Sequence, residues 1–183
     1  MDLKRVITSF SAGIGSKMKK VSVIFYRGMT PLAEESGIYL PISVCEDREQ
    51  LNKAIAYTIH EIGHTVFSNY EKEYLDRITP RNDLLQNILE DAVVEEGMIR
   101  DHPGATYFLE PMVEQFLSEN WERTSIANLR VAVMSYCMMR TRSKVYQNSE
   151  TIQALMGKSK SAVERFSNAE FRELVDCAMD EDL

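Results

Sequence analysis

The feature that most constrains this chain is the run His60-Glu61-Ile62-Gly63-His64, set inside a stretch where Leu51, Ala54, Ile55, Ile59, Ile62 and Val66 recur at helical spacing. Asp47, followed three residues later by Gln50, has the form of a capping box, so a helix is predicted over 47–67. Residues four apart share a helix face, and both imidazoles can therefore reach one metal ion while Glu61 lies at the edge of that face, near a metal-bound water. Two imidazoles, one carboxylate and an open position form a common catalytic arrangement for zinc. The chain must therefore bring an acid from elsewhere to the end of this helix.

A second helix is predicted over 83–100, with Asn82 or Asp83 as N-cap, Leu85, Ile88, Leu89 and Ala92 on one face, and a forced stop before Pro103-Gly104. It carries Glu90, Asp91 and Glu95 within two turns, so Glu90 or Asp91 is expected as the third ligand. A wheel of about 100° per residue puts Glu90 nearly opposite the apolar face and Asp91 closer to its edge, whereas glutamate is the commoner carboxylate at such sites. Both stay open. Asp91 and Glu95 are themselves four apart, which lets Glu95 orient a ligand histidine while the other acid binds metal. His102, Tyr107 and Arg100 follow shortly after and are the candidates for stabilising a developing oxyanion.

Upstream, 21–26 and 37–44 are rich in β-branched and aromatic residues and are predicted as two strands forming a hairpin. Pro41 cannot donate to a ladder, which argues for an edge position. Ile38, Tyr39 and Leu40 are then expected to pair with an extended substrate next to the site. Downstream, Pro111 fits the first turn of a helix running to about residue 122, residues 125–139 are apolar around most of a helical circumference, and Ser167 with Glu170 suggests a last capping box. The expected fold is helix-rich α+β: a single domain over 1–183, with sheet and metal-site helices in 1–104 and a helical extension in 105–183.

Net charge excludes other readings. With 21 Lys+Arg against 28 Asp+Glu, a formal charge of −7 and a pI near 5.1, no general affinity for nucleic acid or anionic membranes is expected. Cys45, Cys137 and Cys177 are odd in number and far apart, which fits reduced thiols packed as small core residues in a cytoplasmic protein. No stretch approaches the roughly 20 apolar residues of a membrane span.

The segments GIYLPISV, HEIGHTVFS, NILEDAVVEE and RDHPG together resemble the metallopeptidase-like domain of bacterial and phage proteins related to the cobaltochelatase CobT subunit, often joined to a von Willebrand A domain. The resemblance spans residues 37–104. Its pattern is an IYLP strand, HExxH, then NxxEDxRIE leading to a YPG turn; Asn87, Glu90, Asp91 and Glu95 match, while Val93 stands where Arg is usual and His102 where Tyr is usual. The resemblance implies a zincin-like fold of the gluzincin type, with one zinc ion on His60, His64 and an acid of the NILED segment.

The expected activity is hydrolysis of peptide bonds. Zinc acidifies a water, and Glu61 takes its proton and returns it to the leaving amine. Two other expectations stand beside this one: a metal-bearing assembly module without turnover, docking a protein partner through the C-terminal helices, and a metal-chelatase accessory suggested by the CobT resemblance. A purely structural site needs ligands but no general base, so Glu61 favours the enzyme.

Overall fold

A computed structural model describes residues 3–15, 21–35, 37–46, 50–71, 78, 83–123 and 129–166. These form seven helices and three strands: α1 (Leu3–Gly15), β1 (Ser22–Tyr26), β2 (Leu32–Glu34), β3 (Gly37–Pro41), α2 (Ile42–Glu46), α3 (Leu51–Phe67), α4 (Asp83–Asp101), α5 (Thr106–Arg123), α6 (Leu129–Val145) and α7 (Glu150–Phe166). A short 3₁₀ turn, Pro103–Ala105, links α4 to α5. The fold is helix-rich α+β with one small sheet. No described helix is long and apolar enough to cross a membrane.

The backbone gathers into two compact units, residues 1–78 with 94–112 and residues 79–93 with 113–183. A helix as long as α4 serves two cores: Ile88 and Ala92 are buried in its first half, Val94 and Met98 in its second.

In the first unit the sheet order is β1-β3-β2. β1 runs parallel to β3, with Val23 opposite Ile38 and Phe25 opposite Leu40, and β2 runs antiparallel to it, with Leu32 opposite Tyr39 and Ala33 opposite Ile38. The two strands expected to form a hairpin are thus parallel neighbours. The hairpin is made instead by β2, which folds out of the segment between them. Leu40 and Pro41 lie beyond the end of β2, so Pro41 takes no missing donor into that ladder. The strand then gives way to α2, three residues short of the expected end.

α3 lies against β2 and β3, and also against α1 and α2. It is buried on far more than one stripe: Ala54, Ala56, Ile59, Ile62 and Gly63 are all inaccessible. Burying each isoleucine contributes roughly 1.5–3 kcal/mol. Its N-cap is Gln50, whose side chain makes no capping bond; Asp47 lies outside the described residues. α1 was not anticipated, although Leu3, Ile7 and Ser11 recur every four residues and are buried. On the outer face of the sheet, the Tyr39 hydroxyl donates to Glu34 Oε2 at 3.0 Å, and that carboxylate raises the phenol above its ordinary pKa.

The second unit is helical. Ala132 and Tyr136 of α6 pack with Ala162 and Val163 of α7, flanked by Trp121, Val133 and Met156. α6 runs past the expected end at residue 139 to Val145, and the expected start at Ser125 lies outside the described residues. Pro111 lies inside α5 rather than in its first turn, because Thr106 already starts that helix. α7 follows a stripe of Ile152, Leu155, Ser159 and Val163, and Ser149 caps it by accepting from the Ile152 N–H at 3.1 Å. The capping box at Ser167 and Glu170 lies outside the described residues.

Candidate metal centre

Gly63 explains how α3 and α4 come close enough to share a site. A methyl group at residue 63 would stand 2.5 Å from Val94 Cγ1 and 2.8 Å from Met98 Cγ, so only glycine lets these helices touch there. The fit is reciprocal, since a methyl at Gly97 would stand 2.8 Å from the Phe67 ring. Arg100 lies over the other end of this contact, 5.6 Å from the Phe67 ring centroid.

That approach places one buried acid, Glu95 of α4, against the histidine helix, which itself carries the buried Glu61. Glu95 is 1 % exposed and Glu61 6 %. His60 Nδ1 faces Glu95 Oε1 at 3.7 Å, which is an ion-pair distance rather than a hydrogen bond. His64 Nδ1 lies 2.9 Å from Ser68 Oγ. The outer nitrogen of each ring is thus engaged, and the inner ones converge: the two Nε2 atoms are 3.2 Å apart, with the rings edge-to-face at 79°. Among the described residues, His60, His64 and Asp91 form a group whose ligand atoms all lie within 4.8 Å of one another.

This group could hold a metal ion. Two imidazole nitrogens each about 2.0–2.1 Å from a tetrahedral zinc stand roughly 3.3 Å apart, close to the separation of the Nε2 atoms here. Two neutral nitrogens facing each other with bare lone pairs repel, and a cation or a proton between them removes the conflict. Two histidines and one carboxylate are a common donor set for catalytic zinc.

Asp91 has a second engagement. Its Oδ2 accepts from Arg142 Nη2 at 2.9 Å, and Arg142 Nη1 donates to the Ile88 carbonyl at 2.7 Å. Arg142 is 3 % exposed, and nothing in the motif search pointed to it. The signal was nevertheless there: Ala132, Ser135, Met139 and Arg142 share one buried stripe of α6, and an arginine on such a stripe requires a carboxylate or carbonyl partner. Ser68, four residues after His64, was also overlooked.

The other expected residues separate. Glu90 is half-buried and not part of the metal group. His102 is not part of it either; its N–H donates to the Met98 carbonyl at 2.8 Å, and its Nε2 has no hydrogen-bond partner among the described residues. Arg100 pairs with Asp101 at 2.8 Å, and Tyr107 is exposed.

Ile38, Tyr39 and Leu40 require a correction. They lie on the central strand, with β1 on one side of all three and β2 on the other side of Ile38 and Tyr39, so among the described residues only Leu40 lacks a strand partner on one side. The short β2 accounts for the difference, since it pairs with Gly37, Ile38 and Tyr39 on the side expected to be free. Burial pushes the Cys137 thiol up to about 11, which fits a packed core residue rather than a reactive one.

No family model matches this chain, and no curated protein or solved structure matches it either.

Proposed function

We propose that this protein is a zinc-dependent hydrolase of peptide bonds, with His60, His64 and Asp91 as ligands and Glu61 as general base. The convergence of the two Nε2 atoms at 3.2 Å, beside Asp91, is the observation that carries the reading. When bound, zinc supplies Lewis acidity and lowers the pKa of a water towards about 7. The rest falls to the chain. Glu61 is adjacent to His60 on the same helix and largely shielded from bulk solvent, so its carboxylate can take a proton from a nearby water and pass it to the leaving amine. Glu95, facing His60 Nδ1, favours a proton on that nitrogen and keeps Nε2 available as a donor. The choice of a peptide substrate rests on the HExxH pattern and on the CobT-related resemblance, because β3 is the central strand and is paired on both sides at Ile38 and Tyr39.

One observation favours a second reading. Arg142 already supplies Asp91 with a cation, which suits an assembly module that holds little metal. Zinc content decides between them. About one zinc per chain in untagged protein, lost in His60→Ala, supports the enzyme; no zinc in either moves the balance to the assembly module. Glu61→Gln is expected to keep zinc and lose about 10²–10⁴-fold in hydrolysis of a fluorogenic casein. Unchanged turnover in that variant would remove Glu61 from its role.

A further inference from the structure

We infer that Ser68 is a positioning residue of the metal centre: its hydroxyl accepts the Nδ1 proton of His64 and so holds that ring with Nε2 bare and directed at the ion. The inference rests on the zinc reading above and concerns how one ligand is kept in place.

The hydroxyls on α3 divide into two kinds. Thr58 donates to the Ala54 carbonyl at 2.7 Å and Thr65 to the Ile62 carbonyl at 2.8 Å, the local bonds that helical hydroxyls commonly make. Ser68 has left the helix. As C-cap it is extended, with φ −75° and ψ 148°, and its own N–H returns to the His64 carbonyl at 3.0 Å. Its Oγ meets the imidazole of that same residue at 2.9 Å. One residue thus grips His64 twice, by backbone and by side chain.

This grip is itself anchored. Phe67, immediately before Ser68, fills the space left by Gly97 on α4. A hydroxyl can donate or accept as the hydrogen moves, so Ser68 suits both forms of the site. Without metal, the Ser68 O–H can donate to Nδ1 while His64 Nε2–H donates to His60 Nε2, 3.2 Å away. With metal, Nε2 must be bare, the proton resides on Nδ1, and Ser68 becomes the acceptor. Alanine at this position satisfies neither arrangement.

The test is zinc affinity, read by competition with a fluorescent chelator, for the full chain and for Ser68→Ala and Ser68→Thr. Loss of a partner to a ligand histidine typically weakens metal binding about 10–100-fold, and Ser68→Ala is expected near the lower figure. Ser68→Thr, which keeps the hydroxyl, is expected within about threefold of wild type. The visible spectrum of the cobalt(II)-loaded protein should change in Ser68→Ala and return in Ser68→Thr. The capping N–H survives either substitution, so the metal-free melting temperature should fall by at most a few degrees in Ser68→Ala, which loses only the hydroxyl–imidazole bond, and stay near the wild-type value in Ser68→Thr.

Equal zinc affinity in wild type and Ser68→Ala overturns the assignment while leaving the zinc reading intact. Equal weakening by alanine and threonine also overturns it, since bulk rather than the hydroxyl would then matter. A wild-type chain that binds no zinc removes the metal reading itself, and the role of Ser68 with it.

Discussion

Two pairs of helical surfaces in this molecule handle polar groups and glycines in opposite ways. Where α3 meets the second half of α4, the spaces at glycines 63 and 97 are filled by Val94, Met98 and Phe67, and His60 is flanked by His64 of its own helix and by the buried Glu95 of α4. Where α6 meets α7, the contact is made by Ala132, Tyr136, Ala162 and Val163, and the hydroxyls of Thr141, Ser143 and Ser159 return to their own helix. Thr141 donates to the Cys137 carbonyl at 3.1 Å, Ser143 to the Arg140 carbonyl at 2.8 Å and Ser159 to the Met156 carbonyl at 2.8 Å. A polar side chain satisfied within its own turn stabilises architecture. Polar side chains brought together as His60, His64 and Glu95 are can serve as a site.

Arg142 is the exception in the α6 region, and removing it should have the largest effect. Arg142→Met leaves Asp91 without its cation, and breaking such a pair costs about 3–5 kcal/mol when both groups are buried. Asp91 keeps 18 % of its side-chain surface exposed, so a loss near 3 kcal/mol is expected in urea unfolding of the metal-free protein. Arg142→Met combined with Asp91→Asn should recover part of that loss. No recovery would mean that Arg142 acts through the Ile88 carbonyl alone.

The glycines give a sharper contrast at smaller magnitude. Gly63→Ala should be destabilising by about 1–2 kcal/mol, since overpacking typically costs 1–3 and is offset by at most about 1 of improved helix propensity. Gly157, in the middle of α7, has nothing within 4 Å of the position a methyl would take. Gly157→Ala should therefore stabilise by about 0.5–1 kcal/mol. Thermal melts of the two variants should move in opposite directions; a shared direction would show that α3 and α4 are not held by the fit at Gly63.

Local periodicity made part of this legible. The stripe from Leu51 to Val66 and that from Leu85 to Ala92 marked α3 and α4, because a helix buries one face whatever it packs against. The same rule applied to Ile152, Leu155, Ser159 and Val163 marks α7, which went unread because serine interrupts its apolar pattern. Strand order was not legible: Leu32–Glu34 is three residues long and carries no alternation long enough to announce an edge strand. Nor could spacing reveal that Arg142 meets Asp91, since 51 residues separate them.

By itself the sequence determined that two imidazoles and a carboxylate share one helix, because an i, i+4 spacing fixes their common face wherever that helix lies. It also determined that acids would follow on a second helix. Only the tertiary structure decided that Glu95 faces His60 and that β3 is central rather than an edge. Those outcomes depend on helix rotation and strand pairing, set by non-local contacts such as the fit of Val94 and Met98 over Gly63, and no local pattern encodes them.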